Sequence, residues 1–360
     1  MSRAATALLN LQALKHNLSV VRRTAPHSKI LAVIKANAYG HGMLTIAEAI
    51  SDADGFAVAH FEEAMSLRRE HPEKPIVLLQ GFADASELHD LLANNIQLVV
   101  HNFQHIEVLE SIKLPVKNAV WLKIDTGMKR LGFNSDQVEE AWHRLSVIPS
   151  LKNNLRIMSH FANADDVSHS GTNQQIELFE HLTVDYDVEK SLANSAGILA
   201  WENAQFDWVR PGIMLYGVSP FLDKTANELD LQAVMQLSSQ VIAVKPIKKG
   251  EFVGYGHCWQ ADADGYIAVV GIGYGDGYPR HIKADTPVLI SGVRYPIVGR
   301  VSMDMLCVDL GKETTIKVGD EVLLWGDGLP VEEIAEMAGT IAYELLCQVT
   351  QRVRFETIDG

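Results

Sequence analysis

The 360-residue sequence predicts an α/β fold: an N-terminal (β/α)8 barrel of the TIM type, residues 1–228, then a mostly β domain, residues 229–360. Three observations predict it. Over the first two-thirds, short apolar, β-branched runs alternate with helical patterns. There are eight such steps, and their strands read as buried on both faces, which argues for an all-parallel sheet. Near residue 225 the helical periods stop, and short valine- and isoleucine-rich strands marked by glycines take over. Eight steps close most economically into a barrel. A doubly wound open sheet is the alternative.

The expected barrel strands are 29–36, 55–59, 75–80, 97–100, 119–125, 155–161, 190–194 and 208–212. Helical patterns fall between them at 44–50, 62–69, 86–94, 104–111, 136–145 and 174–182. Ser135 precedes one helix, and Thr172 with Gln175 forms a capping-box pattern before another. In the second domain, strands are expected at 237–244, 266–272, 287–290, 305–309 and 321–325, with helices at 331–337 and 342–349.

Composition narrows the partners. Hydrophobic residues make up 47% of the chain, enough for a large core, and the formal net charge is −14. An acidic surface argues against a nucleic acid or an anionic membrane as partner, while leaving room for a local basic pocket. The three cysteines, Cys258, Cys307 and Cys347, show no C-x-x-C spacing and fit a reducing compartment. Asn10, Gln12 and Lys15 break the apolar start before a secretory core forms, and no run approaches the ~18 apolar residues of a membrane span. The expectation is a soluble, cytoplasmic protein.

The chemistry centres on residues 31–42. Leu31–Ile34 reads as a buried strand that Lys35 ends, before a turn carrying Asn37, Tyr39, Gly40, His41 and Gly42. A lysine there either snorkels to solvent or forms a Schiff base with an aldehyde cofactor. In a barrel, working residues lie after the strands. Lys123, Asp125 and Arg130, then His160, then Asn194 and Ser195, then Arg210, Gly212 and Ile213 all fall at such positions. Each alone has an ordinary structural reading, but that reading must be repeated at strand after strand. Ser195, Gly212 and Ile213 suit a phosphate, because a hydroxyl and backbone N–H groups bind an anion without a cation. There is no Walker motif, no G-x-G-x-x-G, no H-E-x-x-H and no G-x-S-x-G. His160, Asp165, Asp166 and His169 lack a recognised ligand spacing, so no metal is expected.

Together these blocks closely resemble the alanine racemase family, pyridoxal-phosphate enzymes of fold type III that interconvert L- and D-alanine. The resemblance spans essentially the whole chain. It rests on residues 32–42 (AVIKANAYGHG), 123–128 (KIDTGM), 130–133 (RLGF), 159–162 (SHFA), 209–213 (VRPGI), 253–256 (VGYG), 273–280 (GYGDGYPR) and 302–305 (SMDM). It implies that Lys35 forms the Schiff base and acts as one base, and that Tyr255 of a partner subunit is the other. It implies that Tyr39, Ser195, Gly212, Ile213 and Tyr343 hold the phosphate, with Asn194 beside them. Arg210 faces the pyridine nitrogen, Arg130 supports the cofactor's phenolic oxygen and the substrate carboxylate, and Met303 contributes a partner contact. Tyr274 narrows the entrance. His160 sits behind Tyr255 and Arg210 and is expected to supply positive charge there. Lys123 matches a lysine often carried as a carbamate.

The implied protein is a homodimer with shared active sites, making D-alanine for peptidoglycan or serving alanine catabolism. The strand before Leu11 is expected to join the second domain's sheet. A non-catalytic pyridoxal-phosphate carrier, a broader-specificity amino-acid racemase and a basic-amino-acid decarboxylase are the rival readings. The β domain with Tyr255 argues against the first, and Arg210 at the ring nitrogen argues against the last.

Overall fold

Eight parallel strands close into a barrel in chain order: Lys29–Val33, Gly55–Val58, Ile76–Leu78, Gln97–Val100, Val120–Lys123, Leu155–Met158, Lys190–Ser191 and Trp208–Val209. The first pairs with the last, Ile30 opposite Val209, so the ring has no free edge and the open-sheet alternative is excluded. The structure is a computed structural model describing residues 5–112 and 118–359. Six strands end two or three residues before their expected ends, at Val33, Leu78, Lys123, Met158, Ser191 and Val209. The residues beyond those ends leave the ladder and curl over the mouth, carrying the polar side chains singled out above. At the opposite end, Arg156 lies over the rings of Trp121 and Trp208 and pairs with Glu189 at 2.6 Å, closing the barrel floor.

Thr6–Asn10 joins the second domain, as the resemblance implied: it runs antiparallel to Met235–Ile247 and parallel to Arg354–Ile358. Asn10 then caps the helix Leu11–Thr24, accepting from Ala13 N. Neither that helix nor the strands Val293–Val298 and Arg354–Ile358 is anticipated above. Asn17, buried on the helix, ties the crossing between domains: its amide nitrogen donates to Leu215 O and Gln232 O, and its oxygen accepts from Gln232 N.

In the second domain, the long strand Met235–Ile247 pairs first with Glu321–Trp325 and then with Gly265–Val270. Leu306–Gly311, Val293–Val298 and Pro287–Ile290 complete the circuit between them. Helices Val331–Ala338 and Ala342–Gln348 follow, the second packed on the barrel mouth.

Two capping expectations fail. Asn134, not Ser135, caps its turn together with Gln137. The helix at Thr172 starts at Gly171, so Thr172 and Gln175 lie inside it. Both are buried and turned toward the loops at the mouth, where their bonds serve tertiary contacts instead of the helix end.

Candidate active site

The chain leaves the first strand at Val33, not at Lys35. Lys35 opens a short turn in which Ala36, Asn37, Ala38 and Tyr39 all have positive φ, at 52°, 53°, 56° and 51°. A left-handed turn of non-glycine residues costs roughly 1–2 kcal/mol per residue, so its surroundings must hold it. Gly40 continues at φ 83°, and a Cβ there would lie 2.1 Å from Leu346 O. Only glycine lets the helix Ala342–Gln348 press that closely on the turn. Asn37 Oδ1 accepts from Met43 N at 2.9 Å, and Gly42 N donates to Asn37 O.

Lys35 sits among cations. Burial, then Arg130, pulls its ammonium below the usual lysine range, although Glu63 opposes. Burial, with Arg210, Arg130 and Lys35 around it, brings Lys123 down to about 8. Asp125 is committed elsewhere: Oδ1 accepts from Gly127 N and Lys129 N, and Oδ2 lies 3.6 Å from Lys129 Nζ. Lys123, Asp125, Arg130 and His160 line a small cleft at the mouth. Among the described residues no carboxylate pairs with Arg130. The mouth is therefore a positive focus on an acidic protein, suited to an anionic ligand.

Arg210 is 4% exposed and anchored by its terminal nitrogens. One donates to Ser191 Oγ at 2.6 Å, the other to Ser159 O at 2.5 Å, Leu192 O at 3.2 Å and His160 Nδ1 at 3.2 Å. Burial lowers its pKa only to about 10, so it stays cationic at neutral pH. The same bond settles His160. Its Nδ1 accepts from a guanidinium, and burial with Arg210 and Lys123 holds it well below the usual histidine range. His160 is thus a neutral imidazole protonated on Nε2. The expected positive charge is absent, and it offers an N–H donor instead.

Opposite Lys35, Asn194 caps the helix Ser195–Ala200, its Oδ1 accepting from Gly197 N at 3.0 Å. Ser195 Oγ accepts from Gly212 N at 2.9 Å and Met214 N at 3.3 Å, which leaves its own proton to donate. Ile213 opens the next turn, where a first-turn N–H has no partner within the turn. A Cβ on Gly212 would stand 2.7 Å from Tyr39 Oη, so the glycine keeps an opening beneath that hydroxyl. Tyr343 reaches the same place from the second domain, its ring 5.9 Å from that of Tyr39. Burial raises both phenols, Tyr343 to about 12, so both remain donors. Hydroxyls and amides without a carboxylate make an anion cradle.

Lys35, Tyr39, Lys123, Arg130, His160, Asn194, Ser195, Arg210, Gly212, Ile213 and Tyr343 are thus brought to one mouth. Tyr255, Met303 and Tyr274 are not: they stand 69%, 52% and 38% exposed on the second domain. Among the described residues none of the three bonds to the mouth. Gln175 is a mouth residue the sequence reading missed. Its Nε2 donates to Thr126 Oγ1 and His160 O, and its Oε1 accepts from Ala162 N, so it fixes the loops carrying Asp125 and His160. A buried glutamine on a helix face leaves no local signal of that role. Among the described residues no three His, Cys, Asp or Glu side chains converge as metal ligands would.

The family models "Alanine racemase, N-terminal domain" and "Alanine racemase, C-terminal domain" match residues 9–220 and 234–357. The chain is 51% identical over 356 residues to alanine racemase of Aeromonas hydrophila subsp. hydrophila, covering 99% of this chain and 100% of that one. It is 52% identical over 353 residues to that of Photobacterium profundum, covering 98% of each. The crystal structure of biosynthetic alanine racemase from Pseudomonas aeruginosa superposes with a TM-score of 0.96 at 44% identity, covering 99% of both chains. That of the Bartonella henselae enzyme, solved with covalently bound pyridoxal phosphate, does so with a TM-score of 0.90 at 31% identity, again over 99% of both. With both of its domains matched and half its residues shared with relatives of the same length, the chain belongs to the alanine racemase family.

Proposed function

We propose that the barrel mouth racemises alanine with two bases drawn from two copies of the chain, Lys35 from one and Tyr255 from the other. Membership of the family gives the activity: interconversion of L- and D-alanine with pyridoxal phosphate. The residues present fit that cofactor. Gly212 keeps open a cradle that a Cβ would fill, Tyr39, Ser195 and Tyr343 offer neutral donors around it, and a lysine with a lowered pKa stands opposite. When bound, the cofactor spreads the electron pair released at the substrate α-carbon into its ring.

The chain's residues do the rest. Lys35 Nζ, its pKa lowered by burial and by Arg130, would hold the cofactor and exchange the α-proton on one face. Tyr255 Oη of the second copy exchanges it on the other. His160 Nε2 donates toward Tyr255 and helps hold its oxygen as the proton leaves. Arg210, anchored and still cationic, would lie toward the ring nitrogen of the bound cofactor and disfavour its protonation, which would limit transamination. Arg130 receives the substrate carboxylate, Met303 and Tyr274 of the second copy close over it, and Tyr274 limits side-chain size. The neutral fraction of Lys123 can take up carbon dioxide as a carbamate, giving Arg130 the anion it lacks.

The observation that carries the reading is the separation of the two bases. Tyr255 stands 69% exposed, and neither it nor Met303 nor Tyr274 bonds to its own barrel mouth among the described residues. An isologous homodimer supplies them reciprocally. We also divide the chain between residues 228 and 229. We place it in the cytoplasm, on its three free cysteines; among the described residues no helix is long and apolar enough to cross a membrane.

The test is complementation. Lys35→Ala and Tyr255→Phe are each refolded alone and together, one carrying a tag, and D-alanine formation is assayed. Each alone loses about 10²–10⁴-fold or more. Mixed dimers hold one intact site, so an equal mixture recovers roughly a quarter of wild-type activity per site. Tagged heterodimers no more active than either parent place both bases in one chain and end the proposal.

A further inference from the structure

Two buried side chains behind the cradle have no part in the chemistry above. His41 Nδ1 lies 3.1 Å from Ala38 O and 3.0 Å from Tyr39 O. Both partners are acceptors, so Nδ1 carries the proton. Its Nε2 is buried with no partner among the described residues. The imidazole therefore spends its one donor on the last two carbonyls of the left-handed turn. Tyr216 packs between them and the cradle: its ring is 4.6 Å from that of His41 and 4.8 Å from that of Tyr39. Its Oη donates to Val33 O at 3.1 Å, on the last residue of the strand that leads to Lys35. One side chain thus holds the exit of the turn, the other its entrance.

We propose that His41 and Tyr216 are positioning residues that impose the left-handed turn Ala36–Tyr39 and so deliver Lys35 and Tyr39 to the cofactor together. The proposal rests on the assignment of Lys35 and Tyr39 above. Four residues without glycine do not adopt this hand by themselves, and a buried imidazole with a bare nitrogen is a poor choice for packing alone. The two oddities occur at one place and explain each other. The turn needs a donor aimed back at its carbonyls, and a residue two positions past its end supplies it. Tyr216 ties that turn to the segment of Gly212 and Ile213, so that Lys35 and the phosphate cradle move as one body.

The experiment uses the full-length apoprotein titrated with pyridoxal phosphate, with borohydride-stable attachment at Lys35 located by peptide mass. His41→Leu removes the donor, His41→Asn restores an N–H within reach of the same carbonyls, and Tyr216→Phe removes one hydroxyl and keeps the ring. His41→Leu and Tyr216→Phe are expected to bind the cofactor at least about tenfold more weakly. They should also attach it more slowly at saturation, with apoprotein unfolding of Tyr216→Phe close to the parent's. His41→Asn should recover most of the affinity and the attachment rate. Parental affinity and attachment in both His41→Leu and Tyr216→Phe overturn the proposal. If His41→Leu does not fold, parental behaviour of Tyr216→Phe overturns it alone. Attachment that persists in Lys35→Ala is a separate failure, and it overturns the assignment of Lys35 itself.

Discussion

At the barrel mouth, Lys35, Lys123, Arg130 and Arg210 stand together, with the carboxylate of Asp125 bonded to its own loop and that of Glu63 to Ala59 N; on the second domain, Tyr255, Tyr274 and Met303 stand in solvent. The first group repels itself, so the framework must impose it. Arg210 is held by a hydroxyl, two carbonyls and an imidazole, and Ser195 by two amides. The second group needs no such confinement. Its loops are fixed by backbone bonds, Gly275 N to Met303 O at 2.8 Å and Tyr274 N to Ser302 O at 3.0 Å, while its side chains face outward. In the reading proposed above, holding a charged cofactor takes a rigid cage built within one chain, and closing over the substrate takes groups that reach into another.

Breaking the cage and breaking the cover should therefore fail differently. The largest effect is expected from Lys35→Ala, which loses both cofactor attachment and about 10²–10⁴-fold or more of activity. Tyr255→Phe should lose comparable activity while its absorption spectrum keeps the attached cofactor. A Tyr255→Phe protein that also fails to retain cofactor would erase the distinction.

Next comes Arg210→Glu, which replaces the cation proposed to face the ring nitrogen with a carboxylate and strips donors from Ser159 O and Leu192 O. Racemisation should fall by about 10²-fold or more, and pyruvate formed per racemisation event should rise. An unchanged ratio removes the proposed role of Arg210.

Gly212→Ala sharpens the picture of the cradle. The added methyl meets Tyr39 Oη at 2.7 Å, so the affinity for pyridoxal phosphate should weaken by about 1–3 kcal/mol, measurable by titration of the apoprotein.

The smallest effect concerns stability. Lys123 titrates at about 8 in the folded chain and near 10.5 when unfolded, so between those values the unfolded state binds more protons. Stability should rise with pH through that window, by roughly 2 kcal/mol in carbon-dioxide-free buffer, and the rise should vanish in Lys123→Met. Urea unfolding at pH 7 and 9.5 reads it directly. Below pH 8 both states are protonated, the buried charge costs its full amount, and Lys123→Met should be the more stable protein.

Much of this was legible beforehand. The β-α rhythm, the change of texture near residue 225 and the polar residues past each strand depend on local composition, which apolar periodicity reports well. Less legible were features in which a side chain answers to something distant. Thr172 and Gln175 have the spacing of a cap but turn toward Asn163, Thr126 and His160. His160 has the composition of a cation, yet a neighbouring guanidinium and burial make it neutral.

The sequence by itself determined which residues are present, their order along the barrel and the family they share. Only the tertiary structure decided the hand of the turn after Lys35. Ala36, Asn37, Ala38 and Tyr39 have no local reason to take positive φ; His41, Tyr216 and the close approach of Leu346 to Gly40 hold them there. Only it decided that Tyr255 stands outside its own barrel. A tyrosine's place depends on how two domains pack, and that packing comes from long-range contacts such as those of Asn17 and Thr6–Asn10, which no local pattern encodes.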